Sequence, residues 1–446
     1  MKTRTVLVML LMVAILMVSA CRDGGEADTG AKKNKGNSSS EVSELVISHY
    51  YLEEERERND MAEVFLTMVE KYEEEHPDIT ITQQTMSQAD YSPTIQAQAA
   101  VNELPDVFMI KGSWVNDFAE NGVLAPMNDF LGEYEYTDKF REGAFDAATV
   151  GGKIYGIPNQ LSLSSVVFYN QKLWSQVGYD KFPTTWDDIF KAAEKFKKIG
   201  ISTFSLGNKD KWVAGSCILS TLGDRYTGPE WTQSIIAKDG NAKFTDQEFV
   251  DALTLLKKMS DNRLFNADCN TITDTQAAEY YSQGLAAATI SGHWEIAVLE
   301  ALADEEILTN TKVALLPNID GSEPTSFSGG CGWYFGINAN LTGKKRDTAM
   351  EFLLATTGYE ASVYTTETYG MPGPCSAEID MTQFSQLTQD FAVLANTSTL
   401  TPIYDLQMDE AVIEVMNTGL QDILNGTKRP EVLANEIQEE QDKHAQ

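Results

Sequence analysis

From Leu45 onward, short apolar runs alternate with stretches of helical periodicity, and this alternation limits the possible folds more than any other feature. Leu45-Val46-Ile47, inside Glu44–Tyr51, reads as a buried strand. Met61, Val64, Phe65, Met68, Val69 and Tyr72 then recur at three- and four-residue spacing, which predicts one apolar face of a helix ended by His76-Pro77-Asp78. Ile79–Thr82 alternates like a second strand, Gln88–Asn102 is helical, and Val107–Ile110 is a continuous apolar strand. Gly151-Gly152 marks a turn, after which Lys153–Pro158 and Val166–Tyr169 predict strands, and Glu248–Met259 and Asp347–Leu354 predict helices. Thr185-Trp186-Asp187-Asp188 has the form of a capping box at a helix start. Strand and helix in repeated succession favour an α/β sheet covered by helices on both faces. Such sheets take ligands at the carboxyl ends of their strands.

The N-terminus carries an address. Lys2 and Arg4 precede an unbroken apolar run, Val6–Val18. That length suits the core of an export signal and falls short of the ~20 residues that cross a bilayer as a helix. The run ends in Val18-Ser19-Ala20-Cys21, which resembles the bacterial lipobox. The resemblance implies a signal peptide over residues 1–20 and a lipid on Cys21; the alternative is an ordinary secretory signal in which Cys21 is incidental. Two acyl chains hold where one is marginal. Arg22–Ser40 has only Ala27 and Ala31 as apolar residues, too few to fold, so residues 21–43 are expected to form a tether. The expected location is the extracytoplasmic face of a bacterial cell membrane, with the lipid anchor as the sole membrane contact.

Composition narrows the function classes. The chain is 42% hydrophobic and has about 400 residues beyond the tether, enough for two packed lobes. Its 66 acidic against 34 basic residues give a net charge of -32, which repels nucleic acid and excludes it as an expected partner. Cys217, Cys269, Cys331 and Cys375 allow two disulfides or four buried thiols. With no C-x-x-C, neither zinc nor a redox centre is expected, and no cofactor. The four histidines come without a G-x-S-x-G, an H-E-x-x-H or a Walker A loop, so no enzyme is expected. A glycoside hydrolase, which needs only two carboxylates, is the enzyme alternative.

Several segments together resemble one family. Leu104-Pro105-Asp106-Val107-Phe108 with Asn121-Gly122-Val123-Leu124-Ala125-Pro126-Met127-Asn128-Asp129 is similar to one of its blocks. Gly152-Lys153-Ile154-Tyr155-Gly156-Ile157-Pro158, Phe168-Tyr169-Asn170 and Pro183–Asp188 resemble its most recognisable stretch. Tyr281–Ala288 leading into Ser291-Gly292-His293-Trp294, and later Tyr369-Gly370-Met371-Pro372, follow in the familiar order. The family is that of the extracytoplasmic carbohydrate-binding proteins of ABC transporters, relatives of maltose-binding protein. Ala286-Ala287-Ala288 and Ser328–Trp333 depart from its pattern.

The resemblance implies a two-lobed, periplasmic-binding-protein-like α/β fold of type II, whose hinge closes on a ligand. It implies an N-terminal lobe of residues 44–158 and 293–330 and a C-terminal lobe of residues 159–292 and 331–446. Crossings are expected near Asn159–Leu161, Ser291–His293 and Phe327–Gly332. The implied activity is capture of a sugar or oligosaccharide by a monomer that delivers it to an ABC permease. A non-sugar solute such as a polyol is the alternative.

A pyranose offers C–H faces and a hydroxyl rim, so its site needs flat aromatic platforms beside fixed polar groups. Of the seven tryptophans, Trp294 and Trp333 lie at expected crossings beside glycines and are the first candidates, followed by Trp212 and Trp114. Trp174 and Trp186 read as packing residues, and Trp231 ranks low. His49 and Tyr50 end the first strand at the expected cleft edge. Lys111, Asn159 and Gln160 are the polar candidates at strand ends or crossings.

Overall fold

The computed structural model describes residues 44–133, 136–375, 377 and 379–444. The expected signal peptide, Cys21 and the tether lie outside the described residues. Where apolar runs predicted strands, strands form: β1 (Glu44–His49), β2 (Thr80–Thr85) and β3 (Val107–Lys111). Between β1 and β2 runs the expected helix, Asp60–Glu75; Asn59 accepts from the Ala62 N–H at its start, and Phe65, Met68, Val69 and Tyr72 are buried. β4 (Thr149–Val150) and β5 (Lys153–Ile154) form a short ribbon around Gly151 and Gly152, both at positive φ. β6 (Ile157–Leu163), β7 (Val166–Asn170), β8 (Ser202–Ser205), β9 (Ala286–Ser291), β10 (Thr311–Leu315), β11 (Ser326–Ile337) and β12 (Thr399–Thr401) complete the set.

Apart from the β4–β5 ribbon, pairing sorts the strands among the described residues into two sheets. The first has the order β12-β11-β3-β1-β2, with β6 also paired to β11. β1 runs parallel to β2 and β3, whereas β11 is antiparallel to β3, with Trp333 opposite Lys111. The second has the order β10-β7-β9-β8, and there β8 and β9 are parallel. Helices cover both sheets, and two apolar cores result. One centres on Leu45, Ile47, Met109 and Phe335 around the first sheet, where Phe65 stacks on Phe335 at 4.8 Å. The other gathers Trp174, Phe196, Phe204, Leu253 and Ile413 around one face of the second. Helix Trp186–Lys198 starts at the expected Thr185, whose hydroxyl accepts from the Asp188 N–H. The fold is therefore the expected α/β architecture with two lobes.

Strand pairing divides the chain at places other than those expected from the resemblance. The first passage is Ser164-Ser165, between β6 and β7, a few residues beyond Asn159–Leu161. Ser165 sits there at φ +61°, a conformation that costs an ordinary residue roughly 1–2 kcal/mol. The link is pinned on both sides: Ser164 Oγ donates to the carbonyls of Ser216 and Ser328, and Ser165 Oγ to that of Ser216. Ser291–His293 is no crossing, because β9 and β10 belong to the same sheet; instead the His293 N–H docks on the Leu163 carbonyl. The return to the first sheet falls between β10 and β11, and Phe327–Gly332 lies inside β11 itself. Thus residues 311–315, expected in the N-terminal lobe, pair in the second sheet, and β11 runs through the expected boundary at 330/331. Helices Gly343–Thr357 and Tyr359–Tyr369 then pack on Asp60–Glu75, and Gln386–Thr397 lies against β10. Among the described residues no helix is long and apolar enough to cross a membrane. Cys217, Cys269, Cys331 and Cys375 are buried free thiols, so of the two expectations for the cysteines the unbridged one holds here.

Candidate functional site

The carboxyl ends of β1 and β3 carry the first cluster of candidate residues. Tyr50 follows β1, Lys111 ends β3, and Trp114 lies one turn into helix Gly112–Glu120. Across the pairing from Lys111, Trp333 completes the group. Its ring meets Tyr50 edge-on at 4.9 Å and Trp114 at 5.8 Å, and Lys111 Nζ lies 5.5 Å from its centroid. Tyr50, Trp114 and Trp333 are each less than 9% exposed, so they pack on one another more than they face solvent. Lys111 Nζ is 3.8 Å from Asp405 and 3.9 Å from Glu410. Glu410 also accepts from Trp114 Nε1 at 2.9 Å. Burial raises the Asp405 carboxyl above the usual range, against the pull of Lys111 and Ser216.

His49, Asn159 and Gln160 occupy structural positions behind this cluster. His49 is fully buried; its Nε2 faces Gln83 Oε1 at 2.9 Å, and its Nδ1 accepts from the Tyr51 N–H. Burial lowers its pKa to about 4, so the ring is neutral and occupied, a core residue rather than one at the cleft edge. Asn159 Nδ2 donates to Tyr51 Oη, which donates in turn to Gln160 Oε1 at 3.0 Å. These bonds hold β6 against the end of β1. They surround a cavity of about 30 Å³, room for one water, shared with Asp60 and His293.

The second lobe holds the other candidates. β8 and β9 are parallel neighbours, and the chain leaving their carboxyl ends presents Trp212 and Trp294. Both rings are partly exposed, with centroids 5.7 Å apart and planes at 60°. Trp294 Nε1 donates to Asp274 Oδ2 at 2.9 Å. Burial raises Asp274 to about 6, while the Trp294 and Ser291 hydrogen bonds pull it down. Glu295, next in sequence to Trp294, is almost wholly buried and is raised further by burial and by Asp274. Asp274, Asp405 and Glu295 all push the buried Cys217 thiol upward, after burial itself. Carboxylates of both clusters therefore act on one region, Ser216-Cys217, beside the Ser164-Ser165 link.

Partly exposed indoles thus stand where the chain leaves the carboxyl ends of parallel β8 and β9, with a carboxylate bonded to one of them, while the aromatic cluster after β1 and β3 is buried; ligands of α/β sheets bind at such strand ends. Residues 58–360 match the profile of the bacterial extracellular solute-binding protein family. The chain belongs to this family. Over 295 residues it is 26% identical to the polygalacturonan/rhamnogalacturonan-binding protein YtcQ of Bacillus subtilis, covering 63% of this chain and 57% of that protein. It is 23% identical over 297 residues to an uncharacterised ABC transporter extracellular-binding protein of Pyrococcus horikoshii, covering 66% of this chain and 65% of that one. The chain thus spans about three fifths of the length of these relatives. Among solved structures, a chitin oligosaccharide binding protein superposes with a TM-score of 0.79 at 23% identity, over 91% of this chain and 99% of the other.

In this solute-binding protein the structure gathers Tyr50, Lys111, Trp114 and Trp333 in one cluster and Trp212 and Trp294 in another. Trp174 is fully buried in the second core, as its packing role requires. Sequence reasoning missed Asp274, Glu295, Asp405 and Glu410, which are four among 66 acidic residues. One local signal was available for Asp274: Thr273 and Gln276 frame it in a complete capping box.

Proposed function

We propose that the protein captures a sugar or oligosaccharide between its lobes and delivers it, as a monomer, to an ABC permease. We place it on the extracytoplasmic face of a bacterial cell membrane, held there by lipid on Cys21. The single observation that carries the reading is the partly exposed Trp212–Trp294 pair at the carboxyl ends of β8 and β9, with a carboxylate bonded to one indole. An aromatic face suits the apolar side of a pyranose, and carboxylates suit its hydroxyls. The relatives' glycan ligands support the same class. Lys111, the cation of the first-lobe cluster, already faces Asp405 and Glu410, which leaves it poorly placed to attract an anionic phosphate.

Calorimetry of the full-length chain against a panel of oligosaccharides tests this. Saturable heat from a glycan, with the glycan recovered intact, is the expected result. Heat from a polyol and from no sugar, or product formed at enzymatic rates, would replace the reading.

A further inference from the structure

We propose that Asp274 is a positioning residue for the ligand, acting through Trp294; this rests on the sugar-binding reading above. An aromatic platform selects a sugar only if its plane is set before the ligand arrives, since an indole that must be ordered on binding gives up affinity. Trp294 is set from three sides. Its Nε1 donates to Asp274 Oδ2 at 2.9 Å. Its ring lies on the backbone of Gly292, where a Cβ would come within 2.1 Å of the indole. The rings of Trp212 at 5.7 Å and His293 at 5.5 Å flank it as well.

Asp274 is itself fixed. It is the first residue of helix Asp274–Ser282. Directly before it, Thr273 Oγ1 accepts from the Gln276 N–H and Gln276 Oε1 accepts from the Thr273 N–H, at 3.3 and 2.9 Å. Ser291 Oγ approaches the same Oδ2 at 3.5 Å, so the last residue of β9 and the start of this helix meet at one oxygen. The helix thereby transmits its orientation to an indole 20 residues later. Because the bond is charge-assisted, an amide in place of the carboxylate keeps the shape and weakens the hold.

The test uses the full-length chain with D274N, W294F and the double variant. Two readouts are taken: the near-UV circular dichroism of the Trp212–Trp294 pair, and the calorimetric affinity for whichever panel glycan binds. D274N is expected to diminish the paired-indole signal and to weaken glycan binding about tenfold. In the W294F background D274N should change affinity no further. An unchanged indole signal in D274N, or equal losses of affinity with and without Trp294, would overturn the proposal. Should D274N fail to fold, G292A disturbs the same seat from the opposite side and is expected to reduce the same signal; an unaltered signal there counts against the proposal. If no glycan binds the wild type, the sugar-binding reading falls and with it the ligand half of this proposal, whereas the dichroism still decides whether Asp274 sets Trp294.

Discussion

Glu410 Oε2 accepts from Trp114 Nε1 at 2.9 Å and lies 3.9 Å from Lys111 Nζ, which ties the two lobes together. Trp114 and Lys111 belong to the first sheet's end, whereas Glu410 opens helix Glu410–Leu424, packed in the second core. Replacing Glu410 with Ala strands a buried indole N–H and leaves Lys111 facing Asp405 alone. Because Glu410 is about one third exposed, the ion pairs themselves are worth little, and the indole dominates. E410A should lower unfolding stability by roughly 1–2 kcal/mol, read from urea denaturation. An unchanged midpoint would show that solvent replaces the carboxylate without loss.

Burial separates the tryptophans into two experimental classes. Trp333 is 4% exposed and wedged between Tyr50 and Trp114, so W333A removes core volume and should cost about 3–5 kcal/mol of stability. Trp212 and Trp294 are partly exposed, so W212A and W294A should melt close to wild type while weakening glycan binding by roughly 1 kcal/mol or more. Thermal melts and calorimetry on the same samples distinguish the two behaviours. A stable W333A with lost affinity would instead make Trp333 a platform in its own right.

What the sequence shows and what it hides follow from the range of the interactions. The strand at Leu45-Val46-Ile47, the apolar face of Asp60–Glu75 and the cap at Thr185 depend on neighbours within a few residues, and all three are legible. β11 is not. Phe327–Gly332 is expected as a crossing, yet it lies within one long strand that pairs with β3 and β6 together. Gly332 is required because Leu406, 74 residues later, would lie 2.4 Å from a Cβ there. Asp274 hides for the same reason: its importance lies in a bond to Trp294, and no local pattern links an aspartate to a tryptophan across a helix and a strand.

The cysteines give a chemical check on the fold. All four described thiols are buried and unbridged, and burial raises Cys269 and Cys375 to about 11. Thiolate, the reactive form, is therefore scarce at neutral pH. The native protein should resist alkylation by iodoacetamide at these four positions and react fully in denaturant, with no reductant needed. Peptide mass mapping reads the result, and recovery of a bridged pair would contradict the free-thiol arrangement.

The anchor is tested by C21S. If Cys21 carries the lipid, wild-type protein partitions with membranes and C21S appears in the soluble extracytoplasmic fraction, folded and with unaltered glycan affinity. Equal partitioning of the two would assign the N-terminal segment to an ordinary export signal.

Asp60 provides a pH dependence with a definite sign. It is 4% exposed at the start of its helix, and burial raises its carboxyl to about 6, opposed by hydrogen bonds from backbone N–H groups. An unstructured aspartate titrates near 3.9. The folded state therefore holds the proton more tightly than the unfolded chain. The resulting stabilisation is present in full below about pH 4 and is lost as pH rises through about 6. D60N removes the ionisation and keeps an oxygen for the Met61 N–H that now donates to Asp60 Oδ1. The variant should match wild type near pH 4 and exceed it above pH 7 by at most about 3 kcal/mol. Denaturation midpoints measured at both pH values decide the matter, and a wild type more stable than D60N at neutral pH would mean that the Asp60 carboxylate is stabilised in the fold.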